Sequence, residues 1–256
     1  MKPVFSIITV VYNGGSLLAG TIESVLQQTF SSIEYILVDG ASKDNSLEII
    51  RAAAMRSTNV RWISEPDKGL YDAMNKGLAL ATGDFVWFLN AGDHLHAPDT
   101  AEKVAACISK QTDVLYGETL LVNDLRQPAG AMSELSTRQI PAHLQWQSYL
   151  GGMLVVHQSF IARRDLAPAY IEQNMCADFD WCIQILKKSR ENVNTGIILT
   201  DYLMGGLSKQ RHRQSLKDRF AVMRKHFGLL PTLLAHAKIV LRAAWHRLSR
   251  LGKPSY

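Results

Sequence analysis

The sequence predicts an α/β fold, a mostly parallel sheet flanked by helices, followed by a basic helical C-terminal extension. Three observations predict it. Short β-branched runs alternate with segments of helical periodicity through residues 5–89, the pattern of βαβ units. A polar cluster follows each of those runs: Tyr12-Asn13, Asp39, Glu65-Pro66-Asp67 and Asn90 to Asp93. Charge also divides the chain. Residues 1–204 hold 16 Lys and Arg against 22 Asp and Glu, whereas residues 205–256 hold 12 against the single acid Asp218.

Phe5–Tyr12 is short, apolar and β-branched, and Asn13-Gly14-Gly15 ends it, as for a buried parallel strand. No charge lies between Lys2 and Glu23, but the apolar part is too brief for a secretory signal and reads as this first strand. Ser16 is placed to cap a helix in which Leu18, Ile22, Val25 and Leu26 recur. Glu34–Asp39 is a second strand ending in an acid, and Ser42 and Asp44 open a second helix through Leu47, Ile49 and Ile50. Val60–Ser64, Gly69–Ala81 and Asp84–Leu89 continue the alternation as strand, helix and strand. Ligands of such sheets sit beyond the carboxyl ends of the strands, where all the polar clusters fall.

Beyond residue 110 the pattern loosens. Val114–Tyr116 reads as a strand and 120–145 as loop-rich; Gly151–Val156 is an apolar run leading into His157-Gln158. Asp178–Lys187 is a helix with a Trp181, Ile185, Leu186 stripe, and Val193–Leu199 returns to the sheet. From Pro231 to Arg250 a helix carries Leu234, Ala237, Leu241, Ala244 and Leu248 on one side, with Trp245 at its border. Lys238, Arg242, His246 and Arg250 lie along another side, a pattern suited to an anionic membrane surface. The domain reading is a catalytic body over 1–204, with halves of about 1–110 and 111–204, and a basic amphipathic tail over 205–256.

Several classes are excluded. The composition, 47% hydrophobic and 20% charged, is that of a globular chain. Cys107, Cys176 and Cys182 form neither a disulfide framework nor a zinc site, which points to a reducing, cytoplasmic compartment. No uniformly apolar run is long enough to span a bilayer. Aromatic interleaving in the basic tail is too poor for nucleic acid. The first strand is followed by no G-x-G-x-x-G, and no P-loop lysine motif occurs. Phosphate is then held through a divalent ion with carboxylate or amide ligands, for which Asp93 and Asn90 are positioned, while Asp39 accepts from a nucleobase or ribose. Asp44 reads as a helix cap, and His94 and His96 as surface histidines.

Ser6–Asn13, Val38–Asp44, Ser64–Gly77, Gly83-Asp84 and Phe88–Asp93, five phrases in order, resemble family 2 glycosyltransferases of the GT-A (Rossmann-like) fold. More narrowly they resemble the bacterial exopolysaccharide, colanic-acid-type branch. The resemblance is strong over 4–95 and weaker over 150–207, where His157-Gln158 and Gly205–Ser208 take part. It implies an inverting transferase with a nucleotide-diphospho-sugar donor and Mg²⁺ or Mn²⁺. By that resemblance Thr9, Val11, Tyr12 and Asn13 line the nucleotide, and Asp39 binds the base. Asp67 and Asn75 belong to the donor-site loop and helix. Asn90, Ala91, Gly92 and Asp93 stand where the family has its Asp-x-Asp metal motif, with Asp93 the one charged ligand left; His157 is a metal or diphosphate contact.

Inverting transfer needs a base for the acceptor hydroxyl. Ala177–Trp181 resembles the family's Glu-Asp motif with Ala177 in place of the Glu, so the base is Asp178, with Asp180 as the alternative. The expected enzyme lies on the cytoplasmic face of the inner membrane, peripherally, and extends a lipid-linked oligosaccharide. Two rivals remain: a sugar nucleotidyltransferase, which lacks its usual basic glycine loop here, and an inactive nucleotide-sugar-binding module, favoured by the eroded acids.

Overall fold

The computed structural model describes residues 2–137, 139–205 and 212–249, the last of these as backbone only at residues 212, 240 and 242–249. A nine-stranded sheet forms its centre. Its first half is β1 (Phe5–Val11), β2 (Ile33–Asp39), β3 (Val60–Ser64) and β4 (Phe85–Phe88), joined through α1 (Gly15–Leu26), α2 (Ser46–Arg56) and α3 (Leu70–Leu80). These strands pair in parallel, in the order β3-β2-β1-β4. Side chains alternate between two cores. Phe5, Ile7 and Val11 join one, while Ile8 and Val10 join the other, so both faces are covered and the strands read as continuous apolar runs.

The second half is mixed. It comprises β5 (His94–Leu95), α4 (Thr100–Ala106), β6 (Thr112–Val122), β7 (Pro128–Ala131), the one-turn α5 (Met132–Leu135), β8 (Phe160–Arg163), α6 (Ala177–Leu186) and β9 (Glu191–Leu203). The four-residue β8 inserts antiparallel between β4 and β6, at the middle of the sheet. β6 and β9 therefore run in the same direction as β1 to β4, and the two expected halves share one sheet.

Two helices follow, α7 (His212–Phe227) and α8 (Leu229–Ser249). Charge alone sets them apart as a tail, yet α7 is built into the body. Val222 and Met223 are buried in the same core as Phe88 and Trp181, and Phe227 stacks on Trp146 at 5.4 Å. Arg250 and Gly206–Ser208 lie outside the described residues. Among those described, no helix is long and apolar enough to cross a membrane.

Candidate active site

One wall of the rim is built by three loops that follow β1, β2 and β3. Asn13 takes a left-handed backbone (φ 51°), and its side-chain oxygen accepts from the Lys43 N–H at 2.7 Å while its own N–H donates to Ser42 Oγ at 2.8 Å. The amides of Gly14 and Gly15, which open α1, donate to Ser46 Oγ and Asp44 Oδ2 from the neighbouring loop. Ser16 is thus not the cap; Asp44 and Ser46 serve α1 from across the rim, and hydrogen bonds from the Ser46 hydroxyl and then the Gly15 amide keep the exposed Asp44 carboxyl below its usual range. Asp39 is buried at the end of β2 and accepts from Ser64 Oγ at 2.6 Å and the Ser42 N–H. Asp67 lies against Gly40, where any Cβ would overlap its Oδ2, and the exposed Tyr12 ring closes on the same glycine.

Asp93 stands at the centre of the rim, in the turn after β4. Its Oδ2 accepts from Gln158 Nε2 at 2.7 Å and its Oδ1 from the Leu203 N–H at 2.9 Å. Burial pushes its carboxyl up to about 7, against the pull of those two donors. His157 points elsewhere. It is enclosed by Phe88, Tyr170 and Trp181, bonds the Tyr170 hydroxyl through Nε2 at 2.8 Å, and burial drives its pKa down to about 3.

The far wall begins at α6. Asp178, in its first turn, accepts from its neighbour's amide, Phe179 N, at 2.8 Å and from the Tyr71 hydroxyl at 3.3 Å. Tyr71 stacks on Tyr170 at 5.6 Å, Tyr170 bonds His157, and the next residue, Gln158, holds Asp93. Asp93 and Asp178 are therefore linked through the core beneath the rim, by way of Gln158, His157, Tyr170 and Tyr71. Asp180 is on the buried side of the same helix. Its Oδ1 takes Lys225 Nζ at 2.8 Å and His226 Nε2 at 2.7 Å, and Gln184 Nε2 bonds Oδ2.

Residues 6–168 match the profile described as Glycosyl transferase family 2. The chain belongs to that family. A glycosyltransferase of Mycobacterium tuberculosis named for PGL/p-HBAD biosynthesis is 32% identical over 189 residues, covering 71% of this chain and 69% of its own. Glycosyltransferase GlyG of Streptococcus pneumoniae is 36% identical over 118 residues, 46% of this chain and 39% of its own. Among solved structures, S. aureus TarS 1–349 in complex with UDP-GlcNAc aligns with TM-score 0.67 at 20% identity, covering 88% of this chain and 65% of that one. The mannosyltransferase PcManGT of Pyrobaculum calidifontis, in complex with GDP-Man and Mn²⁺, aligns with TM-score 0.66 at 16% identity over 94% of this chain and 70% of that one. The GT-A-like architecture is thereby established.

In this glycosyltransferase several residues expected to line the ligand are buried or hydrogen-bonded within the fold. Thr9 is buried, donating to the Leu89 carbonyl and accepting from Tyr35. Val11 packs in the core and offers only its carbonyl, to the Gly40 N–H. Both polar atoms of the Asn75 amide are spent on the Tyr170 backbone, at 2.7 and 3.0 Å. Asp180 is an ion-paired anchor for α7, unsuited to collecting a proton, and His157 is a neutral core histidine. Tyr12, Asp39, Asp67 and the Asn90-Ala91-Gly92-Asp93 turn lie at or just after the ends of β1 to β4, and Asp178 lies in the first turn of α6. Sequence reasoning missed Gln158 and Tyr71, which orient the two acids; the only signals for them were their positions, one beside His157 and one in the first turn of a helix.

The donor set decides what kind of cation fits. A small divalent ion in a phosphate site is held by one or two carboxylates, with phosphates and water supplying the rest. Asp93 offers one carboxylate, and Asn90 an amide in the same turn. The described residues hold no cluster of three or more His, Cys, Asp or Glu that would cage an ion on their own. These residues fit an ion that arrives with a diphosphate.

Proposed function

We propose that this protein transfers a sugar, with inversion, from a nucleotide-diphospho-sugar to a hydroxyl acceptor. The observation that carries the reading is that Tyr12, Asp39, Asp67 and Asp93 gather at or just after the ends of β1 to β4, with Asp93 joined to Asp178 through the buried Gln158, His157, Tyr170 and Tyr71. In this reading Tyr12 covers one face of the nucleobase, and Asp39 and Asp67 accept from N–H and O–H groups of the nucleoside. Asp93 and Asn90 would hold Mg²⁺ or Mn²⁺ against the diphosphate, and the ion supplies Lewis-acid neutralisation of the leaving group. Asp178 takes the acceptor's proton while its oxygen attacks the anomeric carbon opposite the departing diphosphate. The Tyr71 hydroxyl and the Phe179 amide hold Asp178 Oδ1 in one orientation, which is what a positioned base requires.

The acceptor we propose is a lipid-linked saccharide of surface-polysaccharide synthesis, met at the cytoplasmic face of the inner membrane. Support comes from α8, whose Leu229, Leu230, Leu233, Leu234 and Leu241 are exposed beside the exposed Lys238.

The test is Asp178→Asn. Removing a general base costs roughly 10²–10⁴ in turnover, so transfer should fall by that factor while calorimetric affinity for the nucleotide sugar stays within about twofold. Undiminished transfer would remove Asp178 from the mechanism. Release of pyrophosphate instead of nucleoside diphosphate by the wild type would identify a nucleotidyltransferase. Binding of nucleotide sugars with neither hydrolysis nor transfer would favour the inactive module that Ala177 and Asn90 suggest.

A further inference from the structure

We propose that Arg126 is a clamp for the diphosphate of the donor, reaching it beside Asp93. The inference rests on the nucleotide-sugar reading above. Arg126 sits in the tight turn between β6 and β7, which Asn123 organises. Asn123 Oδ1 accepts from the Leu125 and Gln127 amides at 3.0 and 2.9 Å, and its carbonyl accepts from the Arg126 amide at 2.9 Å. Arg126 itself adopts φ 62°, a left-handed conformation that a residue with a long side chain rarely takes.

The turn lies next to the centre of the rim. Val122, the last residue of β6, pairs with Leu203, and the Leu203 amide is the one that holds Asp93 Oδ1. Met204 N–H donates to the Val122 carbonyl, fixing the turn to that strand. The guanidinium lies within electrostatic range of Asp93, His94 and Asp201. Its Nη1 is buried and has no hydrogen-bond partner among the described residues.

The nearby acids do not complete it. Asp201 Oδ1 is taken by His96 Nδ1 at 2.6 Å, and the two Asp93 oxygens by Gln158 and Leu203. No ion pair to Arg126 forms among the described residues, although two carboxylates stand close. A buried guanidinium N–H without a partner is costly. It persists where a ligand completes it, and phosphate oxygens match the planar fork of Arg in a way a point charge does not. A second cation beside Asp93 also answers the sparse acid set there: the leaving charge is balanced by Arg126 as well as by the ion.

Isothermal titration of the full chain with UDP, UMP, GDP and GMP, each with Mn²⁺, tests this against Arg126→Met and Arg126→Lys. The wild type should favour the diphosphate of whichever base it accepts. Arg126→Met should weaken that diphosphate about tenfold or more, the scale of one charge-assisted contact, while the monophosphate changes by less than about twofold; Arg126→Lys should fall between. Equal losses on both nucleotides, or none on either, would reduce Arg126 to a brace for its turn and overturn the proposal. A melting temperature for each variant separates unfolding from lost binding, and the Lys variant keeps the test open should the Met variant unfold. If the wild type binds none of the four, the nucleotide-sugar reading fails first and takes this one with it.

Discussion

Asp178 and Asp180 are two residues apart on one helix and have opposite fates. The motif offers both as bases, and nothing local distinguishes them; the choice is made by α7, some 45 residues downstream. Lys225 and His226 descend on Asp180 and leave it 1% exposed. Burial alone would raise its pKa, but the hydrogen bonds and charge of His226 and Lys225 hold it at about 2. A carboxylate depressed below its unfolded value of roughly 3.9 stabilises the fold above that value and loses the contribution as pH falls. Urea unfolding should therefore show a stability loss between about pH 4 and pH 2 that Asp180→Asn flattens. At pH 7 the same variant should be destabilised by about 3 kcal/mol, the cost of breaking a buried pair by removing one partner. An unchanged acid limb in Asp180→Asn would mean that the pair does not anchor α7.

At the scale of elements, β1 to β4 and α1 to α3 were legible because β1, β2 and β4 are covered on both faces and each helix has one apolar stripe. What remained hidden depends on distant packing. β8 is four residues long, and its place between β4 and β6 comes from pairing that no periodicity records. Ser16 follows the local rule for a cap, but Asp44 and Ser46 reach α1 from another loop and satisfy its amides instead. The same distant packing decides which donor-wall residues stay free. Thr9, Val11 and Asn75 fall at motif positions, yet the sheet and Tyr170 engage their polar atoms, while Tyr12, Asn13 and Asp67 reach the surface at the rim and Asp39 lies buried just beneath it. The close approach of Asp67 to Gly40 makes that wall testable. Gly40→Ala forces the Asp67 carboxylate aside, so nucleotide affinity should drop by about tenfold, as for loss of one charge-assisted bond. Asp67→Ala should cost the same, and the double variant no more than either, since residues in contact are not additive. Additive losses would show that Gly40 acts on the nucleotide by another route.

Over the whole molecule, basic charge is polarised toward residues 205–256 and exposed apolar surface toward α8. Thr232 is fully buried and Ala235 packs against the core on one side of this helix, so the helix is docked. The opposite arc carries Leu229, Leu230, Leu233, Leu234 and Leu241, which are 49–70% exposed. A docked helix with leucines facing outward is the reverse of ordinary globular patterning and calls for an apolar partner. A second copy presenting the same face would bring two strongly basic segments together, since residues 205–256 hold 12 Lys and Arg and one acid. An anionic bilayer satisfies both features: each nearby basic residue gains roughly 1 kcal/mol at such a surface, and each leucine gains about 1.5–3 kcal/mol on full burial. The protein should therefore co-sediment with vesicles containing phosphatidylglycerol, bind neutral phosphatidylcholine vesicles far less, and be released as salt screens the charges. Leu230→Ser, Leu234→Ser and Leu241→Ser combined should abolish sedimentation while leaving nucleotide-sugar affinity intact, because α8 does not line the rim. If the triple variant still sediments, or if sedimentation ignores lipid charge, the leucine face serves something other than a membrane; a concentration-dependent dimer lost in the same variant would identify a second copy as its cover.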